Sequence, residues 1–281
     1  MIIRIICIVG SDPGASTVRQ NRPVSETPSD YDDSMLELLQ LLWGEGFLSP
    51  GGPEAVREIC APVPLAGARV LDSGCGLGGL DQVLVGLGAA HVTAVDVAPH
   101  LIDLGRARIE AAGLTDRIAL TAIEPEAPLP FDDGAFDVVF TKDAWLHVID
   151  KPALLAEVHR VLRPGGWLAA GDWLRADRPE STEWTYFVEL EGIPYRNATA
   201  PQYLAMLPAA GFTDVRLDDF NAWYLALAGD EYAKLQGPFF DVLTERLGIA
   251  ARDHFIEDWR MLCRVLESGE LRPSRFWARK P

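Results

Sequence analysis

Positive charge is what this sequence is short of. Its 281 residues hold 25 Lys and Arg against 41 Asp and Glu, a formal net charge of -16 at pH 7. So acidic a chain repels phosphate backbones and anionic lipid, which excludes nucleic acid and membrane as expected partners. Cysteine is scarce too: Cys7, Cys60, Cys75 and Cys263 are scattered, and no two form a C-x-x-C pair. That spacing offers neither a disulfide framework nor a zinc site, and it suits a reducing, cytoplasmic compartment. Long apolar runs are missing as well, so no stretch is expected to span a bilayer. The apolar opening from Met1 to Gly10 is short and has no small-residue cleavage site, so it is not read as a signal peptide.

What is present is enough for a sizeable core, with 48% of residues hydrophobic. The stretch from Ser11 to Pro28 is rich in Ser, Pro, Asp and Thr, which predicts a flexible arm over 1–29. A single domain is expected over 30–281. Leu36, Leu39 and Leu42 fall at helical spacing, and with a second short helix over 53–60 they predict a lid over 30–62. The cofactor-binding core is expected over 68–175. Its pattern predicts strands at 69–72, 91–96, 117–121, 136–141 and 166–172, and helices at 79–87, 99–112 and 151–162. Strands separated by helices imply a parallel sheet covered on both faces. Pro164-Gly165-Gly166 reads as a turn. Beyond Asp172 the rhythm changes to acceptor-side helices at 180–190, 200–210, 230–247 and 251–267, with strands at 215–217 and 274–278.

The run Val70-Leu71-Asp72-Ser73-Gly74-Cys75-Gly76-Leu77-Gly78-Gly79 reads as a strand entering a glycine turn and then a helix. Gly74, Gly76 and Gly79 satisfy G-x-G-x-x-G, the usual dinucleotide fingerprint. Asp96 ends the next apolar strand, where an acid accepts hydrogen bonds from both ribose hydroxyls. Nicotinamide enzymes and adenosylmethionine enzymes share that position, and Asp72 separates them. A carboxylate just before the glycine turn would repel a pyrophosphate at the helix N-terminus, but it suits the cationic amino-acid end of S-adenosylmethionine.

Val70 to Gly79 resembles motif I of class I S-adenosylmethionine-dependent methyltransferases, and Ala94-Val95-Asp96-Val97 resembles motif II. Leu129 to Phe140 is similar to the strand-4 region of that family, and Arg160 to Leu168 to its turn into strand 5. The resemblance implies an α/β, Rossmann-like, seven-stranded, mostly parallel sheet with N-terminal and C-terminal helical lid elements and a final antiparallel strand. It also implies S-adenosyl-L-methionine as methyl donor, S-adenosyl-L-homocysteine as product, a small-molecule acceptor and no metal.

A narrower resemblance, over about 30–280, is carried by Asp143-Ala144-Trp145-Leu146-His147 followed by Asp150 to Leu154. It is similar to phosphoethanolamine N-methyltransferases and nearly as similar to sarcosine/dimethylglycine N-methyltransferases. Gly44 to Gly52 resembles the lid turn of the first group, and Tyr31 to Ser34 before a helix ending in Trp43-Gly44 resembles the second. This implies a Tyr31–His147 pair over the methyl group, with Asp143 on the acceptor and a lid bearing Tyr31 and Ser49. The donor contacts it implies are Tyr31, Ser49, Asp72, Gly74, Gly76, Asp96, Val97 and Lys142. Glu124 is chosen for the adenine amino group, because the segment before Leu129-Pro130-Phe131 carries an extra residue.

On the acceptor side, Asp143 and His147 are four apart, which predicts one shared face of a short helix. An ammonium has no lone pair, so a base such as His147 must take a proton before nitrogen attacks the methyl group. Trp145, Trp173 and Tyr195 are candidates to pack around a cationic acceptor, and Arg196 and Arg260 to hold a carboxylate. The phosphobase enzymes grip phosphate at positions that here are Trp173, Glu191 and Leu262. The expected acceptor is therefore a small zwitterionic amine of the glycine-derivative type, not phosphoethanolamine. S-methylation of a thioether such as methionine, and O- or C-methylation of a secondary metabolite, stay open as alternatives.

Overall fold

The computed structural model describes residues 33–192 and 195–281. The arm expected over 1–29 and the candidate Tyr31 lie outside the described residues. Strand side chains point alternately to opposite faces, and here both faces are buried. In β1 (Arg69–Ser73), Val70 joins the core on one side and Leu71 the core on the other. β2 (His91–Asp96) and β4 (Phe136–Lys142) repeat this, with Val92 and Val138 on the first side and Val95 and Val139 on the second. Two-sided burial is why these strands are apolar throughout instead of alternating.

With β3 (Ile118–Ala122), β5 (Leu162–Arg175), β6 (Thr213–Asp219) and β7 (Leu271–Arg279), the sheet has seven strands in the order β3-β2-β1-β4-β5-β7-β6. β1 to β5 pair in parallel, and β7 inserts antiparallel between β5 and β6. One face is covered by α2 (Gly52–Cys60), α3 (Gly79–Gly86) and α4 (Pro99–Ala111) through Ile59, Leu84 and Ile102. The other is covered by α5 (Lys151–Val161) and α7 (Ala200–Ala209) through Leu155, Val158 and Tyr203. A third cluster joins α1 (Asp33–Trp43), α6 (Thr182–Glu191), α8 (Asn221–Gln236), α9 (Phe240–Leu247) and α10 (Ile249–Glu267).

The N-terminal segment closes over the start of α3. Gly79 N donates to Gly46 O at 3.2 Å, and a β-carbon on Gly79 would lie 2.4 Å from that oxygen. The turn is held by Gln40, whose Oε1 accepts from Gly46 N and Arg108 Nη2. Trp277 Nε1 ties α2 to β7 by donating to Ile59 O at 2.7 Å.

Three sequence expectations need correction. The helix expected over 230–247 is two helices, α8 and α9, and α8 begins at Asn221. Gly237-Pro238 separates them, since proline cannot continue a helix. The buried stripe of α8 is Tyr224, Ala228, Glu231 and Leu235, whose one acid and one small residue weaken its apolar signal. Pro164-Gly165-Gly166 lies inside β5: Phe136 pairs with Leu162 and Val138 with Trp167, so the intervening residues bulge out of the ladder. Asp143 and His147 share no helix. Asp143 has φ +52, outside any right-handed helix, and His147 ends a single 3-10 turn, Trp145–His147.

Candidate active site

From β1 the chain steps to β2 and β3 on one side, then crosses to β4 on the other. Such a switch point leaves a crevice beyond the carboxyl ends of the two central strands. There Ser73 follows Asp72 on β1, and Thr141 precedes Lys142 on β4, with Thr141 Oγ1 donating to Ser73 O at 2.8 Å. A cavity of about 470 Å³ opens at this point, lined by Ser73, Gly74, Asp96, Val97, Glu124 and His147 among others.

The side of the cavity beside β1 and β2 is made largely of backbone. Gly74 has φ +106 and Gly76 φ +52, left-handed values that glycine adopts without cost. A β-carbon on Gly74 would sit 2.2 Å from that of Ala144, so the corner after β4 passes directly over the glycine turn. Gly76 N donates to Asp96 Oδ2 at 2.9 Å and Ala98 N to Oδ1 at 3.0 Å, which fixes the carboxylate at the cavity wall. Burial pushes Asp96 up from the usual carboxylate range, and these backbone N–H groups together with His100 pull it back. Its remaining lone pairs suit a vicinal diol. Behind the turn, Asp72 and Asp81 are fully buried and face each other, and burial pushes both up from the usual carboxylate range, with the Asp81 backbone N–H pulling Asp81 part of the way back.

Lys142 is buried, and its Nζ donates to Ser49 Oγ at 2.8 Å and to Asp143 Oδ2 at 2.5 Å. Burial holds this ammonium below its ordinary pKa, while Asp143 opposes that shift. Ser49, from the turn after α1, and Lys142, at the end of β4, thus meet. Asp143 also accepts from Tyr224 OH at 2.8 Å, and its left-handed backbone is strained for a residue with a β-carbon.

His147 stands on the wall of the donor cavity with its ring stacked toward Tyr195, centroids 6.3 Å apart. Burial, reinforced by Lys151, pushes its imidazole down to about 4, so it is neutral at physiological pH. The turn that carries it is clamped. Asp172, 1% exposed, accepts from Leu146 N and from Tyr203 OH, each at 2.9 Å. Burial pushes Asp172 up to about 7, opposed by Lys151 and the Tyr203 hydroxyl. Lys151 Nζ caps Val148 O at 3.0 Å and Arg196 O at 2.6 Å, and Arg196 N donates to Leu146 O.

The expected acceptor residues divide. Trp173 and Tyr195 do come together, at 6.3 Å, within an aromatic group that includes Phe187, Trp184 and Tyr224. Trp145 does not join them: it is 2% exposed, donates to Ser73 Oγ and packs on Phe276 in the sheet core. The apolar surroundings of the sheet claimed its indole. Arg260 faces outward on α10 and pairs with Glu257, and Arg196 is exposed and contributes backbone bonds to the His147 turn. Tyr224, Asp172, Asp81 and the pair Glu191–Asp258 went unread in the sequence. Glu191 and Asp258 are buried side by side between α6 and α10, and burial pushes Glu191 up to about 7 and Asp258 well above the usual range. The one available signal was the seven-residue spacing of Tyr224 and Glu231, which sets both on one helix face. Glu231 accepts from Trp43 Nε1 and Trp259 Nε1, joining lid to cap.

A wider groove of about 800 Å³ runs between α2, α3 and α4, past Arg57, Gln82, Leu104 and Arg108, and contains none of the expected site residues. Among the described residues no group of three or more His, Cys, Asp or Glu could hold a metal. No helix among them is long and apolar enough to cross a membrane.

Residues 71–170 match a family model described as a methyltransferase domain. The chain is 32% identical over 207 residues to phosphoethanolamine N-methyltransferase 1 of Arabidopsis thaliana, covering 73% of this chain and 41% of that one. It spans under half the length of the plant relatives it matches. The structure resembles phosphoethanolamine N-methyltransferase 2 of Haemonchus contortus, solved with phosphomonomethylethanolamine and S-adenosylhomocysteine. That likeness has a TM-score of 0.81 at 20% identity, over 90% of this chain and 59% of that one. It also resembles a Galdieria sulphuraria protein named for sarcosine and dimethylglycine methylation, with a TM-score of 0.76 at 18% identity, over 88% and 97%. At these identities the structural likeness is one of fold.

Proposed function

We propose that this chain, which belongs to the class I S-adenosylmethionine-dependent methyltransferases, moves a methyl group from S-adenosylmethionine to the nitrogen of a small amine. One observation carries the reading: a neutral, buried imidazole, His147, lines the same cavity as Asp96 and the glycine turn. The bound donor supplies an electrophilic methyl group; the protein's part is to seat it and to ready the amine. Asp96 would take the ribose hydroxyls, Lys142 with Ser49 the donor's carboxylate, and the buried acids behind the turn its cationic end. On the other side Asp143, fixed by Lys142 and Tyr224, would hold the ammonium while His147 takes its proton. Clamping of the Trp145–His147 turn by Asp172 keeps the base in place, and such positioning is worth up to roughly 7–11 kcal/mol in bimolecular reactions.

The acceptor we infer is zwitterionic and lacks phosphate. Names among the relatives point to phosphoethanolamine, but the positions that the resemblance matches to a phosphate grip are here Trp173, Glu191 and Leu262, all buried in one cluster or beside it. Glu191 lies against a second acid, Asp258, so the pair offers a dianion no positive charge. The test is release of S-adenosylhomocysteine with glycine, sarcosine, dimethylglycine, methionine, ethanolamine and phosphoethanolamine as acceptors. Turnover on a carboxylated amine and none on phosphoethanolamine is expected. Turnover on phosphoethanolamine would overturn the exclusion, and turnover on methionine alone would move the attack from nitrogen to sulfur.

A further inference from the structure

Lys151 breaks a local rule. It is the first residue of α5, where the helix dipole favours an acid and disfavours a cation. It is also only 5% exposed, and a lysine is rarely buried to that extent unless its ammonium is paired. The helix does not need it as a cap, since Asp150 already accepts from Ala153 N at 2.9 Å. Lys151 Nζ donates instead to two backbone carbonyls, Val148 O at 3.0 Å and Arg196 O at 2.6 Å. The first directly follows His147 in the chain, and the second directly follows Tyr195. One more bond joins the same two segments, from Arg196 N to Leu146 O at 2.8 Å. The base turn is thus tied to the Tyr195 segment both before and after His147, and the two rings lie 16° from parallel. Tyr195 stands in turn against Phe187 at 5.8 Å and Trp173 at 6.3 Å.

We propose that Lys151 is a positioning residue for the methyl transfer: its ammonium bridges the base turn to the Tyr195 segment and so sets His147 against the aromatic wall of the acceptor site. The inference rests on the proposed function, because it takes His147 as the base. The same ammonium acts on the imidazole by its charge. The groups facing His147 are Lys151 on α5 and the phenol of Tyr195. Those facing Lys151 are Asp172 on β5, Glu126 in the loop before β4, and Arg196. Burial pulls this ammonium below its ordinary range, Asp172 and Glu126 oppose that, and Arg196 adds to it. With two carbonyls accepting from it, the group stays an ammonium at neutral pH and gives up no proton in the reaction. A fixed positive charge beside a buried imidazole adds to the effect of burial, and His147 keeps the lone pair that a base needs.

The experiment compares the native full chain with Lys151→Met, which keeps the apolar stem and removes the ammonium, and with Lys151→Arg, which keeps the charge and the donors. NMR of nitrogen-labelled histidine, with the His147 signal identified by its loss in His147→Ala, follows the imidazole from pH 7 toward pH 4. Turnover is read as release of S-adenosylhomocysteine on whichever amine of the acceptor panel reacts, and donor affinity by calorimetry with S-adenosylhomocysteine. In Lys151→Met the midpoint of His147 should rise by about one pH unit from its native value of about 4. There kcat should fall by about tenfold to a hundredfold, as for a base misplaced by about an ångström, with S-adenosylhomocysteine affinity little changed. Lys151→Arg should restore the native titration and most of the turnover. A lysine that only supported the fold would lower stability without moving the imidazole or kcat. An unmoved titration in Lys151→Met overturns the proposal, as does an unreduced kcat. Should that variant fail to fold, Lys151→Gln is read in its place: its amide can still donate to a carbonyl and the charge is lost, so the same rise in midpoint is required. Failure of every amine in the panel to react would overturn the functional reading and this inference together, whereas a native-like Lys151→Met overturns only the inference.

Discussion

The two ends of the cleft hold similar chemistry by different means. At the proposed donor end, the glycine turn and the acids flanking it lie between Asp72 and Asp96, joined by backbone hydrogen bonds within one strand–turn–helix–strand unit. At the proposed acceptor end, His147, Trp173, Glu191, Tyr195, Tyr224 and Asp258 come from distant parts of the chain, brought together by packing of the C-terminal helices. Each end contains a buried pair of acids, Asp72–Asp81 at one and Glu191–Asp258 at the other. The first pair sits behind the glycine turn, between β1 and α3. The cap pair is packed between two helices. A local unit can be reused whatever the acceptor, while a set of distant side chains can change one member at a time.

His147→Ala tests that division with the largest expected effect. Loss of a general base typically costs about 10²–10⁴-fold in turnover, while affinity for S-adenosylhomocysteine, measured by calorimetry, should change little. Equal losses in turnover and donor affinity would show that the two ends are not separable. Because burial holds the imidazole near 4, native turnover should keep its base form down to about pH 5.

Tyr224→Phe removes the hydroxyl that donates to Asp143 and leaves the ring in place. A hydrogen bond to a charged group is worth roughly 1.5–3 kcal/mol, so kcat/KM should fall by about tenfold or more, with donor binding again unaffected. A change in KM for the acceptor alone would assign Asp143 to binding, and a change in kcat alone to orientation in the transition state. Unchanged kinetics would separate Asp143 from the reaction altogether.

Glu191→Gln probes the cap pair, with the smallest effect. Glu191 and Asp258 both have folded-state pKa values above their unfolded ones, so the folded protein binds more protons than the unfolded chain between about pH 4.5 and 7. Stability therefore falls as pH rises through that window. Asp72, Asp81 and Asp172 act in the same sense. In Glu191→Gln the amide can donate to Asp258, and the decline measured by urea denaturation from pH 5 to 8 should be shallower by on the order of 1 kcal/mol. A steeper decline would mean that Asp258 has another proton partner.

The donor end was legible because its signals are short-range. Gly74, Gly76, Asp72 and Asp96 stand at fixed spacings, and the strands beside them are buried on both faces and so read as apolar runs. Ser49 and Lys142 entered only as separate contacts implied by the family resemblance, and the fold joins them across 93 positions of sequence. Trp145 and His147 show where legibility ended: two residues apart, one indole turned into the sheet core and one imidazole onto the cavity wall. The helix expected to align Asp143 with His147 is absent because Asp143 takes a left-handed backbone, which Lys142, Tyr224 and the Gly171 carbonyl hold in place.

The sheet, its glycine turn and the acids flanking it could be read along the chain, because periodicity and turn chemistry act over a few residues at a time. Which side chains meet was settled by packing. It set Asp81 against Asp72, Glu191 against Asp258, and Tyr224 onto Asp143. The physical reason is desolvation: a carboxyl group has its ordinary properties in the chain, and acquires a raised pKa, a partner and a role only when packing removes water from around it.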